Sequence, residues 1–180
     1  MSTRGNYMLT IKHYRRPLAG IAISGERARL TPEVLVKFIS PLAKKNVQIY
    51  AIGTGEGRVV FFVDEAEADK AMIILTDAVG ESPFENVSIR RSLGMITVDG
   101  EELNNTPGIL HKLTTPLAKA KIKIVSMTSP FNSITFFFDS ADAERVYDLW
   151  NSYVPDKIGV FKHAKQSVGG FIGKIIPKSD

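Results

Sequence analysis

Residues that could do covalent or metal chemistry are few in this chain and poorly spaced for it. With no cysteine among its 180 residues, disulfides, thiolate metal sites and cysteine nucleophiles are all excluded. His13, His111 and His163 stand far apart, and no carboxylate spacing around them suggests a metal site or a triad, so packing or surface roles are expected. Gly53-Thr54-Gly55-Glu56-Gly57 has the glycine density of a phosphate loop, yet it joins two strand-like segments and no helix start follows, so a hairpin turn is expected. Gly169-Gly170-Phe171-Ile172-Gly173-Lys174 fails the P-loop spacing because Val168 stands where the first glycine is required, and it reads as a tail or the start of a strand. Glu101-Glu102 reads as a solvated turn, with contact to a cationic side chain or metal ion as the alternative. No nucleophile, acid–base pair or cofactor loop can be assembled. The sequence therefore predicts no catalytic residue, no cofactor, no metal and no enzyme.

Composition narrows the class further. The chain is 44% hydrophobic and 23% charged with mean hydropathy near zero, which suits an ordinary globular core and gives no sign of disorder. No apolar run reaches the roughly 18 residues needed to span a bilayer, and residues 1–5 lack a signal-peptide core, so a cytoplasmic location is expected. The formal charge of +4 comes from 23 basic residues offset by 19 acidic ones spread along the chain. Arg15-Arg16 and Arg90-Arg91 could join Lys162, Lys165 and Lys174 in a basic stripe, but edge strands carry such charges to block aggregation.

The elements that would position any site come from an internal repeat. Residues 25–68 align without a gap on residues 100–143 at an offset of 75 residues, Gly25 falling on Gly100. The identities include Thr31-Pro32 with Thr106-Pro107, Pro41-Leu42-Ala43-Lys44 with Pro116-Leu117-Ala118-Lys119, and Phe61-Phe62 with Phe136-Phe137. Arg15-Arg16 and Leu18 match Arg90-Arg91 and Leu93, while Ser92 and Gly94 match Ser167 and Gly169, so the segment preceding each module occurs three times. The spacing predicts strands at residues 6–15, 85–92 and 157–165, three for two modules. One is left over, or the modules exchange strands.

Within each module, residues 20–24 and 95–98 read as first strands. A helix then begins with Thr31 or Thr106 as N-cap and Pro32 or Pro107 at the first helical position, where its missing N–H is harmless. Leu35, Phe38, Ile39 and Leu42, and Leu110, Leu113 and Leu117, keep helical spacing, and Pro41 and Pro116 should kink the last turn. Second strands are expected at 47–52 and 122–127, third strands at 58–63 and 133–138, and second helices at 65–79 and 140–154. Apolar contacts of those helices would be Ala71, Leu75, Ala78 and Val79, and Val146, Leu149, Trp150 and Tyr153. The third strands scarcely alternate, which implies apolar burial on both faces, whereas helices cover only one. A second surface must cover the other. The predicted class is α+β: two ferredoxin-like βαββαβ modules, antiparallel sheets with helices on one face, divided as residues 1–17 (N-terminal strand), 18–92, 93–166 and a tail at 167–180.

The motifs name a family. Gly94-Met95-Ile96-Thr97-Val98-Asp99-Gly100 through Thr106-Pro107-Gly108-Ile109-Leu110 resembles the opening of ACT domains in aspartokinase regulatory regions. Leu117-Ala118-Lys119-Ala120-Lys121-Ile122-Lys123-Ile124 is similar to that family's helix end and second strand, and Ser133-Ile134-Thr135-Phe136-Phe137-Phe138-Asp139 to its third strand. The Pro-Leu-Ala run is also similar to ACT domains of arginine-sensor proteins. No kinase domain precedes the modules, so the resemblance implies regulation without aspartokinase activity.

In the ACT family, amino-acid effectors bind between paired modules, near the turn into the first helix and the second strand of a neighbour. The resemblance carries this onto Asn105, Thr106, Pro107, Gly108 and Ile109, faced by Val125, Ser126, Met127, Thr128 and Ser129. The chemistry is apt: helix-start N–H groups favour a carboxylate, and hydroxyls and backbone groups suit an α-amino group. Thr-Pro-Gly is equally explained as a plain helix start. Glu33 stands where Gly108 stands, so residues 30–34 are not expected to form an equivalent site, and residues 51–54 are assigned to the opposite wall of a pocket. The expectation is a non-catalytic, amino-acid-binding regulatory protein, a homodimer or larger, acting on an enzyme or regulator the sequence does not name. No membrane is implied. The alternatives are a ligand-free interaction or regulatory subunit of an amino-acid-metabolism enzyme or transcription regulator, and a basic nucleic-acid-binding module with salt-dependent retention.

Overall fold

The computed structural model describes residues 9–26, 28–80 and 82–153. The strand expected at 157–165, the tail from 167, His163, the lysines at 162, 165 and 174, Val154, the side chain of Tyr153 and the start of the first strand at 6–8 lie outside those residues. Chain order is β1 (Thr10–Ser24), α1 (Pro32–Lys44), β2 (Ile49–Gly55), β3 (Arg58–Asp64), α2 (Ala68–Val79), β4 (Asn86–Asp99), α3 (Glu102–Asn105), α4 (Ile109–Lys119), β5 (Ser126–Thr128), β6 (Ser133–Asp139) and α5 (Ser140–Tyr153). The six strands make one antiparallel sheet in the order β2-β3-β1-β4-β6-β5.

Strands expected as separate elements run together. Residues 6–15 and 20–24 were separate in the pattern, as were 85–92 and 95–98, but β1 and β4 each span both parts. The physical link is a bend: β1 changes register between Tyr14 and Leu18 and again before Gly20, around Pro17, and its counterpart Ser92 in β4 has φ of 55°. The Ser92 amide donates to Glu65 Oε2 at 3.1 Å, which holds that turn in the strand. Bending sends the two halves of each strand to different modules. Residues 86–90 lie beside residues 20–24 and close the first module, while residues 10–14 lie beside residues 95–99 and close the second. Of these two copies of the strand, the one at residues 86–90 closes the module it follows in the chain, and the N-terminal one is exchanged onto the second module.

Local chemistry explains where the helices begin and end. Thr31 Oγ1 accepts from the Val34 amide at 3.4 Å and Pro32 opens α1, as the spacing predicts. The second module departs from this. Residues 102–105 form the extra turn α3, which Thr106, extended, closes by donating its amide to the Glu102 carbonyl; Gly108, left-handed at φ 89°, precedes α4, so Thr106 is not the N-cap of α4 and Pro107 is not helical. Only a residue tolerant of positive φ could reverse the chain there. Both helices pass their prolines and end alike: Asn46 and Lys121 take left-handed φ of 55° and 56°, and the amides of Val47 and Ile122 reach back to the carbonyls of Leu42 and Leu117. Ile122 is thereby used in the helix cap, which is why β5 starts at Ser126 rather than at 122, and β2 likewise begins at Ile49 rather than at 47. The glycine-rich run is the β2–β3 hairpin, turning at Glu56 and Gly57.

Each module packs its helices on one sheet face. Ile21, Ile23, Val59, Phe61 and Val63 meet Phe38, Leu42, Ala71 and Leu75 in the first, and Ile96, Val98, Phe136 and Phe138 meet Leu113, Leu117, Val146 and Trp150 in the second. Trp150 satisfies its indole N–H by donating to the Leu113 carbonyl at 2.9 Å. The opposite faces meet each other. Phe62 and Phe137, equivalent in the repeat, stack with ring centroids 3.7 Å apart, with Leu18 and Leu93 beside them. The third strands are therefore apolar on both sides because each module is the other's cover.

Candidate functional site

Beside the Phe62–Phe137 stack the two outer faces part and leave a cavity of about 700 Å³. Its floor comes from the first module's sheet. Gly20 and Ala22 on β1 and Val60 and Phe62 on β3 are the residues that alternate away from the helices, so their faces are free to line it. Residues 52–55 of β2 form one side and Ser88, Ile89, Arg90 and Leu93 of β4 another. The far wall is the second module's Val125, Ser126, Met127 and Thr128. Both β2 and β5 are sheet edges, so each has a row of backbone N–H and C=O groups without a strand partner among the described residues.

Larger side chains stand in the pseudo-equivalent space of the second module. The repeat puts Met95 where Gly20 stands and Tyr50 where Val125 stands, and Met95, Tyr14 and Tyr50 all pack against the junction. The rings of Tyr14 and Tyr50 lie 4.8 Å apart, with their hydroxyls 2.7 Å apart. Burial, then the hydrogen bond to Tyr50, push the Tyr14 pKa far above its ordinary value, so Tyr14 stays neutral. A second hydroxyl contact sits next to it, Thr97 Oγ1 to Thr135 Oγ1 at 2.9 Å.

The cavity's polar groups are hydroxyls and guanidiniums. Thr54, Ser88, Ser126 and Thr128 line it with Arg58 and Arg90, and among the described residues no Asp or Glu does. Arg90 donates to Asp139 Oδ1 at 2.8 Å, tying β4 to the end of β6. Such a set can hold a carboxylate by charge-assisted hydrogen bonds and an ammonium by carbonyls and hydroxyls. It contains no nucleophile–base pair, and among the described residues no three His, Asp or Glu side chains converge as metal ligands.

Of the residues singled out in sequence, Val125, Ser126, Met127 and Thr128 come together here, opposite residues 52–54. Asn105, Thr106, Pro107, Gly108 and Ile109 do not line this cavity. Ile109 is buried in the second module's own core, and Asn105 Nδ2 donates to the Glu101 carbonyl at 3.2 Å. Ser129 lines a separate shallow hollow with Leu103, Leu110 and the 87% exposed Phe131. At the matching helix start of the first module, Glu33 supplies its own anion: hydrogen bonds from Thr31 and its own backbone hold its carboxyl below the ordinary range. Gly20, Ala22 and Arg58 went unnoticed in the sequence. The signal was there, because the repeat aligns them with Met95, Thr97 and Ser133.

Two ACT-domain profiles match the chain, one over residues 21–79 and one over residues 88–149. The chain belongs to the ACT-domain family, with two ACT domains in tandem. Among solved structures it is similar to the regulatory subunit of aspartate kinase from Thermus flavus, at 18% identity over 81% of this chain and 96% of that one, with a TM-score of 0.68. Similar too are an aspartokinase alpha and beta subunit structure (16% identity, 81% and 97% covered, TM-score 0.69) and E. coli aspartokinase III in complex with lysine and aspartate (16% identity, 84% and 34% covered, TM-score 0.60). These likenesses speak for the fold. No curated protein sequence matches the chain. Among the described residues no helix is long and apolar enough to cross a membrane.

Proposed function

We propose that this chain is a non-catalytic regulatory protein that binds a free amino acid in the cavity between its two ACT domains. The observation that carries the reading is the cavity itself: both domains line it, and its walls combine guanidiniums and hydroxyls with the open backbone edges of β2 and β5. Those edges supply acceptors for an α-ammonium group, and the arginines a counter-charge for an α-carboxylate. Gly20, Ala22, Val60 and Phe62 give the apolar floor that a small ligand needs. Regulatory subunits of aspartate kinase share the fold, and one relative was solved with lysine and aspartate, which supports the ligand class.

In this reading the ligand bridges the outer faces of two domains that already share β1, β4 and the aromatic stack, and binding shifts their relative stability and the chain's contact with a second copy or with an enzyme or regulator. Asn105, Thr106, Pro107, Gly108 and Ser129 belong to that contact surface rather than to the cavity, and Ile109 anchors the helix start beneath it. The regulatory unit spans residues 18–92 and 93–166 with the N-terminal strand, in the cytoplasm. The test is a thermal-shift screen against the twenty amino acids, followed by light scattering with and without each hit. A rise in midpoint with one chemical class of amino acid supports the reading. No shift with any of them contradicts it and leaves the ligand-free interaction subunit.

A further inference from the structure

We propose that the cavity selects an acidic amino acid, one with a second carboxylate on its side chain, and that Arg58 is the residue that distinguishes it. The inference rests on the reading of the cavity as an amino-acid site and narrows its ligand. Among the described residues the charged side chains on the wall are the guanidiniums of Arg58 and Arg90, and no carboxylate lines it. Arg90 gives one Nη to Asp139 and keeps its other donors for the α-carboxylate, but its charge is already countered. That of Arg58 is not: among the described residues no carboxylate lies within ion-pairing distance of it. Glu26, Glu56 and Glu85 share the rim of a shallower hollow with it beyond the hairpin turn, and none pairs with it.

Position explains why the guanidinium is available. Arg58 opens β3 opposite Gly55, whose missing side chain leaves open space, and opposite Ser24 on β1. No side chain on the neighbouring β2 position covers it. A cationic ligand side chain would meet two guanidiniums and no counter-charge, and an amide would leave Arg58 with a weaker, neutral acceptor. A carboxylate takes the fork of donors in two parallel hydrogen bonds.

The repeat supplies an internal control. Where the first module has Gly20 and Arg58, the second has Met95 and Ser133, so the space and the cation occur together in one module and are both missing from the other. A guanidinium retained merely for solubility would have no reason to follow the cavity.

The experiment is calorimetric titration of the full chain with glutamate, aspartate, glutamine, asparagine, lysine, leucine and the dicarboxylates glutarate and succinate, on the native protein and on Arg58→Gln and Arg58→Lys. Thermal midpoints confirm that both variants fold. The expected result is an acidic amino acid binding at least tenfold more tightly than its amide, with this preference shrinking as salt rises. In Arg58→Gln the acidic ligand falls to the affinity of the amide, while Arg58→Lys keeps part of the preference. A neutral or cationic amino acid binding most tightly, or Arg58→Gln weakening all ligands alike, overturns the inference and leaves the amino-acid reading standing. Glutarate or succinate binding as tightly as glutamate or aspartate upholds the anion inference and overturns the amino-acid reading. No binding by any of the eight overturns both.

Discussion

Position for position, the outer sheet face of the first module carries Gly20, Ala22, Val60 and Arg58 where the second carries Met95, Thr97, Thr135 and Ser133. The first set leaves a hollow that both modules enclose; the second set, with Tyr14 and Tyr50, fills the matching space with side chains and hydroxyl contacts. Helix-facing residues are far more alike, since Phe61 and Phe136 or Leu42 and Leu117 do the same work in each core. Duplication thus kept the cores and diversified the faces that meet. Two faces related by the repeat differ, one packed and one open.

The comparison depends on the aromatic stack that joins the two faces, so the largest effect is expected there. Phe62→Ala and Phe137→Ala should each cost about 3–5 kcal/mol, because each removes a fully buried ring and exposes its partner. Urea unfolding measures this. Equal losses in a single cooperative transition are expected; a loss below about 1 kcal/mol for either would mean that the modules stand independently.

Next in size is the packing of strand on second helix, which also differs between modules. Ala19 lies in the first core with Ala68, whereas a Cβ built on the equivalent Gly94 would collide with that of Ala143. Gly94→Ala is therefore expected to cost about 1–3 kcal/mol by overpacking. Adding Ala143→Gly should recover most of it. Failure of the second change to rescue the first would show that the strand, not the side chains, sets the fit.

The smallest effect concerns the exchanged strand. His13, on the strand that closes the second module, occupies the place that Ile89 occupies in the first, facing Ile96 as Ile89 faces Ile21. Its Nδ1 lies 3.2 Å from Glu144, and its ring lies 5.5 Å from that of Tyr147. Burial lowers its pKa below the ordinary 6.5 and Arg15 adds to this, against the opposing pull of Glu144 and Asp148. Because the fold favours the neutral ring, the unfolded chain binds more protons below pH 6.5. This contribution to stability is whole above that pH and is lost as pH falls toward the folded-state value. Unfolding midpoints at pH 7.5 and 5.5 should converge in His13→Gln relative to the native chain; an unchanged pH dependence would contradict the assignment.

Much of this architecture is legible in the residues because the signals are local or repeated. Thr31-Pro32 opens a helix through its own hydroxyl and ring, and Phe61-Phe62 beside Val63 announces burial on both faces wherever the strand sits. Thr106-Pro107 carries the same letters and fails to open α4, because the four residues before it coil into α3 and Gly108 then turns the chain. Which module each edge strand closes could not be read, since Ile11 and Val87 have equal apolar patterns and the choice rests on bends at Pro17 and Ser92. The cavity was harder still. Gly20 looks like any strand glycine until its repeat partner, Met95, is seen to occupy the equivalent volume on the other side.

The central claim is that the open side is a binding site and the packed side is not. Titrating glutamate into the native chain and into Gly20→Met tests it directly, since the variant copies Met95 into the hollow beside the side chains of Leu93 and Phe62. One glutamate per native chain and at least a tenfold loss of affinity in the folded variant are predicted. Two sites per chain, or unchanged affinity in Gly20→Met, would contradict the account.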